Sequence, residues 1–100
     1  MPVNVHKLLA ALEDEAHKKQ EDFEKKRYAN DVIFQGWIMT ACKYLRERCS
    51  CDAQIPDGEI EAVSSLVRSV GTVPYQAGRD KVIAGILARI CPPDEKMAAE

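Results

Sequence analysis

The chain has 100 residues, enough for one domain with its own core and too few for two. Hydrophobic residues make up 46% and charged residues 30%, a globular balance that excludes wholesale disorder. Fourteen Lys and Arg against sixteen Asp and Glu leave a net charge of −2, which excludes a strongly basic nucleic-acid binder. No apolar run approaches the ~20 residues of a membrane span. No basic stretch leads into an apolar run at the N-terminus, so the expectation is a cytoplasmic protein without a secretory signal.

The first segment, about Val3 to Tyr28, reads as one long helix. Asn4 suits its N-cap, because its side-chain oxygen can accept from an orphan amide two or three residues on. Leu8, Leu9, Leu12, Ala16 and Phe23 form a thin apolar stripe at helical spacing. Acid precedes base by four residues at Asp14/Lys18, Glu15/Lys19, Glu21/Lys25 and Asp22/Lys26. That orientation supports a helix with little buried surface, and the second half should project or pack on one side only.

The second segment runs from about Asn30, a plausible N-cap, to Arg48. Ile33, Trp37, Ala41, Tyr44 and Leu45 line one face, while Val32, Phe34, Ile38 and Cys42 widen it. This pattern marks the central helix, with Gly36 beside Trp37 allowing close approach of a neighbour. Whether it continues directly from the first helix is left open by the sequence. Ser50 to Gly58 is a loop, rich in turn residues. A third helix over Glu59–Val70, capped by Asp57 and stopped by Gly71, buries Ile60, Val63, Leu66, Val67 and Val70. Gly71 to Gly78 is a connector or an irregular turn. The last helix, Arg79–Ile90, presents Val82, Ile83, Ile86, Leu87 and Ile90 and ends at Cys91-Pro92-Pro93.

The expected fold is therefore all-α, a compact bundle of about four helices with a long charged N-terminal helix. One domain spans 1–93, and 94–100 form a fraying tail. The core is expected from Leu9, Leu12, Ile33, Trp37, Ala41, Leu45, Ile60, Val63, Val67, Val70, Ile83, Ile86, Leu87 and Ile90. A buried Trp37 would cost about 3–5 kcal/mol on truncation to alanine.

Cys42, Cys49, Cys51 and Cys91 read as free thiols in a reducing compartment, and Cys49 and Cys51 as dispensable ones. One residue between Cys49 and Cys51 rarely lets both thiolates reach a tetrahedral ion, and His6 and His17 lack a metal motif around them, so no metal or cofactor is expected. No phosphate loop, nucleophile elbow or paired-histidine motif is present, and no enzyme is expected. Lys25, Lys26 and Arg27, and Lys43, Arg46 and Arg48, form small basic clusters at helix ends that suit the helix dipole better than a phosphate backbone.

The acidic residues have more character. Glu13, Asp14, Glu15, Glu21, Asp22 and Glu24 line the first helix, and Glu59 and Glu61 add a second acidic point. The candidate partner-binding set is Glu13, Asp14, Glu21, Asp22, Glu59 and Glu61, facing a protein partner with a basic, nucleic-acid-type surface; a homodimer is a further possibility.

Ile55-Pro56-Asp57-Gly58-Glu59-Ile60-Glu61, between two apolar helices, resembles the Asp-Gly-x-Ile helix start of tellurite-resistance TerB-like domains. That resemblance implies a helical bundle with metal-associated acidic loops. Arg48-Cys49-Ser50-Cys51 stands where the family has apolar and acidic residues. In size and charge the chain is also similar to small phage inhibitors such as anti-CRISPR proteins. The functional expectation is a small non-enzymatic interaction module, adaptor or inhibitor. The alternatives are a helical nucleic-acid-binding domain and a thiol or metal protein.

Overall fold

A computed structural model describes residues 2–91. The all-α expectation holds: four helices form the body, α1 (Val5–Lys26), α2 (Ala29–Arg48), α3 (Asp57–Ser69) and α4 (Gln76–Ile90). The proline stop after Cys91 and the tail at 94–100 lie outside the described residues.

Asn4 caps α1 as its residue type dictates, its side chain accepting from the Lys7 amide at 3.1 Å. The helix ends at Arg27, in the left-handed region at φ 61°. The Arg27 amide donates to the Glu24 carbonyl and the Tyr28 amide to the Phe23 carbonyl. These two bonds are a Schellman cap, usually built on glycine, and they separate α1 from α2. Because Arg27 reverses the chain, α2 starts with Tyr28 at its N-cap, so Asn30 lies inside the first turn and caps nothing.

The reversal folds α1 and α2 into an antiparallel hairpin, the main contact of the fold. Val5, Leu9, Leu12 and Ala16 are buried, whereas the second half of α1 packs on one side only. There Gln20 donates to the Val32 carbonyl at 3.1 Å, and Phe23 packs on Tyr28 at 6.1 Å between ring centroids.

The loop after α2 is tied down more firmly than its turn residues suggest. Val3–Asn4 (β1) pairs antiparallel with Gln54–Ile55 (β2), with Val3 opposite Ile55 and Asn4 opposite Gln54. Around this pair the Val5 amide donates to the Ala53 carbonyl at 2.9 Å and Asn4 Nδ2 to the Cys51 carbonyl at 2.7 Å. His6 Nε2 lies 2.8 Å from the Cys49 carbonyl, which can only accept, so that nitrogen carries the proton. These bonds press Cys49 and Ile55 into the core at 7% and 2% exposure.

α3 begins at Asp57, after Pro56 rather than after an Asp57 cap, and gives way to a 3-10 turn at Val70–Thr72. Gly71 is buried there, and a Cβ on it would lie 2.9 Å from both the Phe34 carbonyl oxygen and Ile38 Cδ1. Gly71 is thus the close approach between the turn and α2. The expected close approach at Gly36 is milder, since a Cβ there would meet only Gln20 Nε2, at 3.4 Å. α4 starts at Gln76, one turn before the expected Arg79.

Nine of the fourteen expected core residues are buried: Leu9, Leu12, Ala41, Leu45, Val63, Val67, Val70, Ile86 and Ile90. Ile60, Ile83 and Leu87 are half-buried against them. Ile33 and Trp37 correct the expectation, for Ile33 is 49% exposed and Trp37 is only half-buried. The reason is rotational. α2 turns Ile38, Ala41, Cys42 and Leu45 inward, which brings Ile33, Trp37 and Tyr44 to the edge.

Candidate functional site

The edge of α2 that carries Trp37 and Tyr44 faces α4 across a cleft of about 460 Å³. Ala41, Val70, Ile83 and Leu87 give it apolar lining, while Thr40, Gln76, Arg79 and Asp80 contribute polar groups. Its volume falls within the ~300–1,000 Å³ range of ligand clefts. Trp37 and Tyr44 are seven residues apart, about 10 Å along the axis of α2.

Both rings carry a guanidinium. Arg79 stacks on Trp37 with its guanidinium carbon 3.8 Å from the ring centroid, and Arg48 stacks on Tyr44 at 3.5 Å. Phe34 packs on Trp37, with centroids 5.3 Å apart. Arg79 is held in place by donating to the Val73 carbonyl at 3.1 Å and to Gln76 Oε1 at 2.8 Å. Gln76 Nε2 in turn donates to Asp80 Oδ1 at 2.8 Å, so Asp80 is already engaged within α4. Two of the five N–H donors of Arg79 are accounted for by these bonds. Arg48 also lies 4.0 Å from Glu47. The lining is thus a set of binding groups: an aromatic wall, an apolar floor and the Arg79 cation over Trp37.

The six acidic candidates fall into two kinds. Glu13 reaches across the hairpin to Arg46, and Glu59 on α3 pairs with Arg89 on α4 at 3.3 Å. Asp14, Glu21 and Asp22 pair within α1, with Lys18 at 3.1 Å, His17 at 3.0 Å and Lys26 at 2.9 Å. Glu21 therefore turns to His17 and not to Lys25. Glu61 is exposed and forms no ion pair with a described residue. Glu15 is a further interhelix link, since Arg68 on α3 donates to both of its oxygens at 3.3 and 3.1 Å. Arg68, with Lys19 beside it, holds the Glu15 carboxyl below the ordinary carboxylate value. Much of the acidic signal thus lies in fastenings between or along helices, which a linear reading cannot distinguish from a docking surface.

The thiols differ among themselves. Cys42 and Cys49 are buried, Cys91 is half-buried and Cys51 is exposed. Burial pushes the Cys42 thiol up to about 12 and the Cys49 thiol to about 11, with Cys91 adding to the effect on Cys49. The burial of Cys49 conflicts with its expected dispensability, because a serine there would bury a hydroxyl. Among the described residues, no group of three or more His, Cys, Asp or Glu is placed to hold a metal ion. No helix of the described residues is long and apolar enough to cross a membrane.

Trp37 is expected in the core from its helical spacing, and nothing in the local sequence marks Arg79, Gln76 or Asp80 as site residues. The available signal was the seven-residue spacing of Trp37 and Tyr44, on a helix whose apolar surface exceeds what three neighbours can cover. Compared with known proteins, the chain matches no family model, no curated protein and no solved structure.

Proposed function

We propose that this chain is a non-enzymatic docking module that receives an amphipathic helix of a partner protein in the cleft between α2 and α4. The observation that carries this is the Trp37 ring, left half-exposed in a 460 Å³ cleft with the Arg79 guanidinium fixed over it. Half-exposed aromatic and arginine side chains around an apolar floor are the composition of binding hot spots. The occupant is argued from shape and charge. A cleft lined by Trp37 and Tyr44, two turns apart on α2, suits apolar anchors at i, i+4 and i+7 of a helix. The Arg79 guanidinium over Trp37, with Asp80 tied to Gln76, favours a carboxylate beside those anchors. We place the interaction in the cytoplasm, in keeping with four cysteines that are unbridged. The acidic face of α1 and direct nucleic-acid contact are the competing readings.

The test is selection of a phage-displayed library of helical peptides on the whole chain. Selected peptides should carry apolar anchors at helical spacing with flanking Asp or Glu. Ala84→Arg, an exposed substitution at the cleft wall, should weaken their binding at least tenfold. Reversal of Asp14, Glu21 and Asp22 to lysine should leave binding unchanged. The opposite pattern would move the docking surface to α1. Glu13 is kept out of that reversal because a lysine there would face Arg46.

A further inference from the structure

The C-terminal ends of α2 and α4 are each capped by a cysteine, Cys49 and Cys91. They meet although 41 residues separate them in sequence. The Cys91 sulfur lies 3.6 Å from the Arg48 carbonyl, whose carbon is bonded to the Cys49 nitrogen. Both residues belong to one apolar cluster, Cys49 within it and Cys91 packed against it. We propose that Cys49 and Cys91 are a dithiol that low-molecular-weight disulfides, of which glutathione disulfide is the model, convert into an intramolecular disulfide joining the ends of α2 and α4. This inference is independent of what occupies the cleft.

Neither of the other thiols is placed to bridge to Cys49. Cys42 lies seven residues before Cys49 on the same helix, about 10 Å along the axis and beyond the ~7 Å Cα limit of a bridge. Cys51 is exposed, and the single residue between it and Cys49 leaves no room for an unstrained ring.

The chemistry balances in two exchanges. The less buried Cys91 thiol loses its proton and attacks one sulfur of glutathione disulfide, forming a mixed disulfide and releasing one glutathione thiolate that takes up a proton. Cys49 then loses its proton and attacks the Cys91 sulfur of the mixed disulfide, releasing the second glutathione. Two cysteine thiols are oxidised and one glutathione disulfide is reduced to two thiols. Burial holds Cys49 in its thiol form, which fits it to the second, intramolecular step, where proximity replaces acidity. Because the two helix ends also form the Tyr44 and Leu87 end of the cleft, the bond would fix the separation of its walls.

The experiment incubates the folded, full-length chain with glutathione disulfide and maps its disulfides by proteolysis and mass spectrometry. The expected digest contains a Cys49–Cys91 cross-linked peptide about 2 Da lighter than the sum of its two reduced parts. Exposed Cys51 should form a mixed disulfide with glutathione in the same sample, which confirms that the reagent acts. The cross-linked form should melt roughly 10 °C higher, since closing a long loop restricts the unfolded chain. Glutathione on Cys51 with no Cys49–Cys91 peptide would overturn the proposal. So would a cross-linked form that melts below the reduced one, because the sulfurs would then not be placed for bonding in the native fold.

Discussion

Substituting Gly71 tests the packing that creates the cleft. An added Cβ would sit 2.9 Å from the Phe34 carbonyl oxygen, 2.9 Å from Ile38 Cδ1 and 3.1 Å from Ile38 Cγ1. Carbon atoms do not approach a backbone oxygen so closely, and that oxygen belongs to a helix, so the 3-10 turn must lift off α2. Overpacking of this kind costs about 1–3 kcal/mol. Alanine recovers roughly 0.4–1 kcal/mol by restricting the unfolded chain. The net expectation for Gly71→Ala is a loss of about 1–2 kcal/mol, or roughly 4–16 °C in Tm for a chain of this length. Gly85 supplies the control, since it is exposed within α4 and a Cβ there meets nothing within 4 Å. Gly85→Ala should gain about 0.5–1 kcal/mol from helix propensity alone. Urea unfolding followed by circular dichroism measures both. Equal, favourable effects of the two substitutions would refute the seating of the turn on α2, and with it the position of Val70 in the cleft.

Trp37→Ala should cost about 1–3 kcal/mol in urea unfolding, below the ~3–5 kcal/mol of a fully buried ring, because it loses the Phe34 contact and the Arg79 stack but leaves little cavity. The Glu15 carboxyl is held below its ordinary value of 4.5 when folded, so its contribution is present above pH 4.5 and lost as pH falls through the lowered folded value. Glu15→Gln should accordingly cost under about 1 kcal/mol at pH 7, and the gap from wild type should close in acid unfolding titrations. In iodoacetamide labelling at pH 8, exposed Cys51 should react first and Cys42 last, because a thiol at about 12 is ionised in only roughly one molecule in ten thousand. Peptide mapping over time would contradict this if Cys42 kept pace with Cys51.

How much of this was legible in the sequence depends on the kind of interaction. Helical spacing of Leu9 and Leu12, of Val63, Val67 and Val70, and of Ile86 and Ile90 is a local property, and it placed the helices and most of the core. The Asn4 cap was legible for the same reason. The Arg27 turn was not, because its left-handed geometry belongs to glycine by preference and arginine gives no signal for it. On α2 the apolar surface covers more than half the circumference, so periodicity alone could not say which part stays open. Helical spacing puts Trp37 and Tyr44 on one apolar face with Ile33, Ala41 and Leu45, and only the assembled fold shows that this edge lies beside the cleft. The pairing of Cys49 with Cys91, and of Glu15 with Arg68, joins residues distant in sequence. Such pairs become visible only once the helices are assembled.

Docking in the cleft at Trp37 is directly readable, because Trp37 is the chain's single tryptophan. The decisive measurement is a proton–nitrogen NMR titration of the 15N-labelled chain with the tightest helical peptide selected from the library. The Trp37 indole resonance and the amides of Thr40, Tyr44, Arg79 and Ile83 should shift together along one binding curve, while those of Asp14, Glu21 and Asp22 stay in place. Shifts confined to α1, with a silent Trp37 indole, would contradict docking in the cleft.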